Sequence, residues 1–183
     1  MLQIIVPAGE FFNQRTQMFS YTTEQRLQLE HSLVSISKWE AKWHKPFLDG
    51  HEKNTAEFRD YVRCMTLTQN VDPKVYFNLT NENLRQIKAY MDDPMTATKV
   101  PQKNGPGGSR EPITSELIYY WMAACQLPPE YQKWHINRLM TLIKLCNAKN
   151  AQAMPDKKKK PHELYSQYKA INEANKRRFN SAG

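Results

Sequence analysis

The stretch LQLEHSLVSISKWEAKWHKPF, residues 27–47, decides the fold, because its hydrophobic period changes part of the way along. Before Ser32, leucines alternate with polar residues, and this period of two is typical of a β-strand. After Ser32, the apolar residues recur at spacings of three and four, which is typical of an amphipathic helix: Leu33, Ile36, Trp39, Trp43 and Phe47. Ser32 suits the N-cap of this helix. The stretch therefore predicts a strand followed by a helix.

The first 31 residues extend the strand pattern toward the N-terminus. Residues 2–6 alternate, a break follows at Pro7, and residues 16–21 are aromatic and β-branched. Short runs of period two, separated by turn residues, predict a small antiparallel β-sheet or β-meander over residues 1–31. Because an isolated hairpin is only marginally stable in water, we expect this sheet to pack on the helices or on a partner.

Helix caps recur downstream of residue 47. Asn54 and Glu57 have the spacing of a capping box and predict a helix over residues 55–65. Asp72 and the proline after it predict a short helical turn, and Thr80 is the expected N-cap of a further helix.

Two strongly apolar helices are predicted within residues 114–147. The first follows Thr114, and the second runs over residues 130–146, after the break at Pro128 and Pro129. Helices joined by so short a turn are expected to pack as an antiparallel pair, and we expect this pair to be the most buried part of the protein. The fold class is therefore mainly α with a small N-terminal antiparallel β-sheet, that is α+β.

The charge distribution divides the chain into a domain and a basic tail. The 183 residues carry a formal net charge of +8, and residues 149–183 hold nine Lys and Arg against three Asp and Glu, a charge of +6. We expect a globular helical domain over residues 1–148, followed by a basic linker and a C-terminal helix over residues 149–183. Nucleic-acid-binding domains usually spread their cations over a folded face, so a protein partner is favoured over nucleic acid.

The usual signatures of catalysis and metal binding are missing from the sequence. There is no CxxC, HExxH or GxSxG motif, and the glycine-rich residues 105–110 lack the Lys-Ser/Thr that ends a P-loop. The three cysteines are far apart and are interpreted as reduced thiols. No apolar run approaches the roughly 20 residues that a membrane span needs. We therefore expect no enzymatic activity, cofactor, metal ion or membrane partner.

Two groups of residues are candidates for binding a protein partner. The first is the aromatic stripe of Trp39, Trp43 and Phe47, which has Lys38, Lys42 and Lys45 between its members. The same stripe also fits a helix whose aromatic residues enter the core, and a stacking platform for single-stranded nucleic acid is a third interpretation. The second group lies in the tail and consists of Leu164, Tyr168, Ile171, Lys157, Lys158, Lys159 and Lys160. The lysine run alone is typical of a solvated linker.

Strings distributed over nearly the whole chain carry a resemblance to a known family. They are LQLEHSLVSISKWE at 27–40, KPFL at 45–48, MTLTQNV at 65–71, PMTAT at 94–98, IYYWM at 118–122 and QKWHINRL at 132–139. In content and order, these strings resemble the tail assembly chaperones of long-tailed double-stranded DNA bacteriophages. None of the strings is a catalytic signature.

The resemblance implies a role in virion morphogenesis. Such chaperones act in the host cytoplasm, bind the tape measure protein, keep it soluble and help to recruit tail tube subunits, and they are absent from the finished virion. The family often makes a shorter and a longer form by programmed translational frameshifting. Because Lys157–Lys160 must be encoded by A-rich codons, we predict a frameshift site there or in the tail after it.

Two other classes of function stay open on the sequence. A virion structural protein, such as a head–tail connector or a tail component, would have the same helices and small sheet. A nucleic-acid-binding protein would use the basic tail and bind with a steep dependence on salt concentration. Self-association of the chain is also left open.

Overall fold

The structure is a computed structural model that describes residues 1–14, 17–50, 52–100 and 112–153. Backbone contacts divide the chain into two units, Met1–Cys146 and Asn147–Gly183. The described strands and helices belong to the first unit, and only the last described helix continues past its end. The sequence-based division at residue 148 stays a prediction, because most of the tail lies outside the described residues.

Four strands build a long two-stranded β-ribbon at the N-terminus. The strands are β1 (Leu2–Val6), β2 (Gly9–Asn13), β3 (Met18–Thr22) and β4 (Gln25–Leu29). β1 pairs with β4 and β2 pairs with β3, both antiparallel. Every cross-strand pair, from Leu2 with Leu29 to Asn13 with Met18, has residue numbers that add up to 31, so one register runs through both ladders.

The nested pairing corrects the predicted β-meander, in which each strand would pair with the next one along the chain. Pro7 interrupts the ribbon because proline has no backbone N–H to donate to a ladder. The alternation of buried and exposed side chains changes at this break. The even-numbered residues Ile4 and Val6 of β1 are buried, whereas the even-numbered Phe12 of β2 is exposed.

The helices that capping signals predicted are confirmed. α1 (Leu33–Trp43) starts at the capping box of Ser32 with Ser35, and α2 (Thr55–Met65) starts at that of Asn54 with Glu57. α1 ends at His44, which has a left-handed backbone with a φ of 52°.

A short 3-10 helix and α3 continue the chain after α2. The 3-10 helix covers Pro73–Phe77 and is capped by Asp72, and α3 (Asn81–Asp92) is capped by Thr80. α3 packs against β1, where the side-chain amide of Asn83 donates a hydrogen bond to the carbonyl of Ile5 at 3.0 Å.

The segment predicted as a helix pair contains α4 (Ser115–Ala124) and α5 (Ile136–Ala153). The predicted continuous helix over residues 130–146 is wrong at its start. Pro129–Lys133 form a 3-10 helix, and Trp134 is extended. The backbone N–H of Ile136 then donates to the carbonyl of His31 at 2.7 Å, so a contact with a distant segment sets the start of α5.

The core is centred on β1, β4, α1 and α2 rather than on the predicted helix pair. The largest fully buried side chains are Trp39, Tyr61, Leu27, Leu29, Leu33, Ile36, Met65, Ile87, Ile118, Ile136, Leu139 and Val6. α1 buries five of its residues and α4 buries three. The mainly α, α+β fold class is confirmed. Within the described ranges, no helix is both long and apolar enough to cross a bilayer.

Candidate protein-binding surfaces

The predicted aromatic stripe of α1 lies mostly in the core. Trp39 and Phe47 are 1% and 4% exposed, and Trp43 is half-buried. The indole N–H of Trp39 donates to the carbonyl of Glu57 at 2.9 Å, and Phe47 stacks on Tyr61 with ring centroids 3.9 Å apart. Side chains so deeply buried leave no surface for a partner. Trp39 in α1 and Phe47 in the segment after it therefore pack against α2, which corrects their predicted partner-binding role.

The lysines of the stripe face water and pair with α2. The ammonium of Lys42 lies 2.7 Å from a carboxylate oxygen of Asp60, and that of Lys45 lies 2.6 Å from Glu57. The hydrogen bond from Lys45 lowers the pKa of Glu57. Lys38 is exposed. This arrangement fits the alternative interpretation of an amphipathic helix with aromatic residues inside and cations outside.

The tail candidates lie outside the described residues. They are Leu164, Tyr168, Ile171, Lys157, Lys158, Lys159 and Lys160. Their partner-binding role and the frameshift site therefore stay predictions.

An exposed aromatic surface, which sequence reasoning missed, lies on the outer half of the β-ribbon. Phe12, Phe19 and Tyr21 are 47%, 56% and 72% exposed, and we call them the aromatic face. Phe12 and Phe19 are direct cross-strand partners with ring centroids 4.9 Å apart. Tyr21 lies beside the carboxylate of Glu10, which raises the pKa of the tyrosine.

Asn78 holds the opposite side of the outer ribbon against the body. Its side-chain amide donates to the hydroxyl of Thr22 at 2.7 Å and lies directly over Gly9. A Cβ on Gly9 would come within 2.0 Å of that amide. Because this side of the ribbon is attached to the body, the aromatic face is turned to solvent. The sequence did contain an indication of this surface. The break at Pro7 and Ala8 separates the apolar strand before it from a segment with aromatic residues at 11, 12, 19 and 21.

A second surface runs along α2 beside the 3-10 helix Pro73–Phe77. The guanidinium carbon of Arg59 lies 4.2 Å from the centroid of the Phe77 ring, which is 58% exposed. Phe77 also makes an edge-on contact with Phe11 of β2, at 6.2 Å between centroids. Grooves with volumes of about 330 and 410 Å³ lie on the two sides of this Arg–Phe pair.

A buried polar network lies between the ribbon and the helices. The imidazole of His31 hydrogen-bonds to the hydroxyl of Tyr61 through Nδ1 and lies 5.1 Å from the ring of His135. Burial, together with the neighbouring His135, lowers the pKa of His31 to about 3. Burial also lowers the pKa of His135, whose Nε2 lies 3.0 Å from the carbonyl oxygen of Tyr90.

This network has a structural role that its chemistry explains. A buried imidazole with so low a pKa stays neutral, and the hydroxyl of Tyr61 can donate to its unprotonated Nδ1. The hydroxyl of Tyr90 donates to Glu30 at 2.6 Å, which ties α3 to the end of β4. In the part of the chain that the structure describes, no group of three or more His, Cys, Asp or Glu side chains has the arrangement of a metal site.

Comparisons of the chain with protein-family models, curated proteins and solved structures gave no match. A function can therefore be proposed only from the residues and surfaces of the chain itself.

Proposed function

We propose that this protein is a phage tail assembly chaperone that binds an apolar segment of the tape measure protein and keeps that protein soluble. The observation that carries the proposal is the aromatic face of Phe12, Phe19 and Tyr21. The resemblance of the sequence to tail assembly chaperones supports the choice of partner.

The physical case begins with the cost of leaving aromatic side chains in water. Removing apolar surface from water is favourable by about 25 cal/mol per Å², before the costs of association, and aromatic side chains are enriched at protein interfaces. Phe12 and Phe19 already contact each other on a ribbon that is hydrogen-bonded to Asn78, and this contact reduces the conformational entropy that is lost when a partner covers them. Holding an apolar segment in solution needs such a surface and no chemical step.

The proposal includes the setting that the resemblance implies. The protein acts in the host cytoplasm during assembly, helps tail tube subunits to collect on the tape measure protein, and is absent from the mature virion. The tail residues 149–183 engage or release the partner, and a longer frameshifted form arises at or after Lys157–Lys160. Sequencing the gene tests the frameshift, which requires an overlapping downstream reading frame.

Co-expression with the tape measure protein tests the partner. The full chain should raise the soluble fraction of the tape measure protein and co-purify with it. Replacing both Phe12 and Phe19 with Ser should remove both effects while the circular dichroism spectrum stays unchanged. Tyr120→Ser is the matched control, because Tyr120 is an aromatic residue 67% exposed on α4. A folded double variant that still holds the tape measure protein would overturn the proposal.

Mass spectrometry of purified virions separates the proposal from its main alternative. A chaperone is missing from the particles, whereas a head–tail connector or a tail component is present at a stoichiometric level. Binding to DNA that weakens steeply with salt and disappears when residues 149–183 are removed would favour the nucleic-acid alternative instead.

A further inference from the structure

The Arg59–Phe77 pair is built like a docking site for a carboxylate beside an apolar surface. The guanidinium carbon lies 4.2 Å from the ring centroid, and Arg59 makes no ion pair with any described residue. Contact with the ring restrains the guanidinium and leaves N–H donors free at its edge. An arginine held in this way donates two hydrogen bonds to a carboxylate with little further loss of entropy.

The charges around the larger groove are unequal. The groove is lined by three cations, Lys42, Arg59 and Arg63, and by one carboxylate, Asp60. Asp60 is already shared, at 2.7 Å from Lys42 and 2.9 Å from Arg63. Burial alone would raise the pKa of Asp60, but hydrogen bonds from Lys42, Arg63 and Trp43 lower it. This carboxylate is therefore ionised, and its oxygens already accept hydrogen bonds from these three side chains. With three cations against one carboxylate, the groove keeps a net charge of +2.

The rest of the groove surface is apolar and fixed. Trp43 is held by a hydrogen bond from its indole N–H to Asp60 at 2.9 Å, and Pro73 and Phe77 complete this side. The smaller groove, on the other side of Phe77, is lined by the aliphatic residues Leu79 and Leu84. Together the two grooves follow α2, whose 11 residues span about 16 Å, the length of about three helical turns.

We infer that these grooves bind an amphipathic helix with acidic residues, whose apolar face covers Phe77 and Trp43 and whose carboxylate docks on Arg59. Charge complementarity selects this partner over the chain's own tail, because residues 149–183 carry +6. Phe77 also offers a stacking surface for a base, so single-stranded nucleic acid is the competing occupant that the test below separates. The site is distinct from the aromatic face, so the two proposals can fail separately.

A designed peptide tests this site on the full chain. The probe is a fluorescein-labelled helical peptide of about 16 residues, with leucines at helical spacing and glutamates on both sides of the leucine stripe. Fluorescence anisotropy should show binding that becomes at least about tenfold weaker in Arg59→Glu, because the variant replaces an attraction with a repulsion. A version of the peptide with lysines in place of glutamates should bind at least about tenfold more weakly to the wild-type chain.

Arg138→Glu is the matched control for the charge reversal. Arg138 stacks on Trp134 at 4.1 Å, much as Arg59 stacks on Phe77, but it lies on α5. Its replacement should leave peptide affinity within about twofold, as expected for a charge outside the contact. Phe77→Ala provides a second variant at the proposed site and should also weaken binding, because Phe77 is exposed and its loss leaves the core intact.

Three results would overturn the inference. The first is unchanged affinity for the acidic peptide in folded Arg59→Glu or Phe77→Ala. The second is equal binding of the acidic and basic peptides. The third is the absence of binding between the wild-type chain and the acidic peptide, and Arg59-dependent binding of fluorescein-labelled oligo(dT) by that chain would then make the groove a nucleic-acid site.

Discussion

The side chain of Glu40 in α1 caps the first turn of α4 through the backbone of Ser115. One carboxylate oxygen of Glu40 accepts a hydrogen bond from the N–H of Ser115 at 2.7 Å, and the other accepts one from the N–H of Phe47, also at 2.7 Å. The carboxylate is buried, with the residue 7% exposed. A single side chain thus satisfies two buried donors and attaches α4 to the core.

Glu40→Gln should destabilise the fold by about 1–3 kcal/mol, because the amide has one acceptor oxygen where the carboxylate has two and leaves a buried N–H unsatisfied. Urea unfolding followed by circular dichroism measures the change. Glu116→Gln, at an exposed position in the first turn of α4, should change stability by less than about 0.5 kcal/mol. Equal effects of the two substitutions would contradict the capping role of Glu40.

Trp39→Ala should cost about 3–5 kcal/mol of unfolding free energy, because it removes a fully buried indole and its hydrogen bond to Glu57. Trp43→Ala should cost less, since Trp43 is half-buried. Urea unfolding of the two single variants gives the comparison. If Trp39→Ala left stability unchanged, the placement of the stripe in the core would be wrong.

Local signals explain why much of the fold could be predicted. An N-cap such as Asn54 and the apolar stripe of its helix are close together in the sequence. Because both are local, α1, α2 and α3 start where the sequence predicted them. The start of α5 could not be predicted in this way. The N–H of Ile136 bonds to His31, and only the folded chain brings these residues together.

The candidate surfaces were harder to predict than the helices. Periodicity shows that Trp39 and Phe47 share one face of a helix, but it does not say whether a core or a partner covers that face. The exposure of Phe12 and Phe19 depends on the interruption of the ladder at Pro7 and on the contact of Gly9 with Asn78. The Arg59–Phe77 pair joins α2 to a separate 3-10 helix, so no sequence spacing reveals it.

Gly9→Ala should loosen the outer ribbon at a cost on the order of 1 kcal/mol, because the new Cβ displaces the Asn78 amide from its hydrogen bond to Thr22. Asn78→Ala alone should cost a similar amount. The double variant should cost less than the sum of the single costs, since Asn78→Ala removes the group with which the Cβ collides. Urea unfolding of the three variants completes the cycle, and strictly additive costs would show that the two residues do not compete for one space.

Stability should fall with acid below neutral pH because of His31. Its pKa is about 3 in the folded chain and 6.5 for an ordinary histidine in water, so the unfolded chain takes up the proton first as the pH falls. The stabilising effect of the neutral imidazole is complete above pH 6.5 and decreases as the pH drops toward 3. Between pH 6.5 and about pH 5 the loss should be about 2 kcal/mol, and carboxylates with lowered pKa values, such as Asp60, stay ionised there.

Urea unfolding across this window should show a shallower slope of stability against pH in His31→Gln, where His135 still contributes because its pKa is also lowered. His44→Gln, at an exposed side chain, is the control for replacing a histidine outside the core. If the wild-type chain were equally stable at pH 6.5 and at about pH 5, then His31 would take up its proton in the folded state near the ordinary pKa of a histidine.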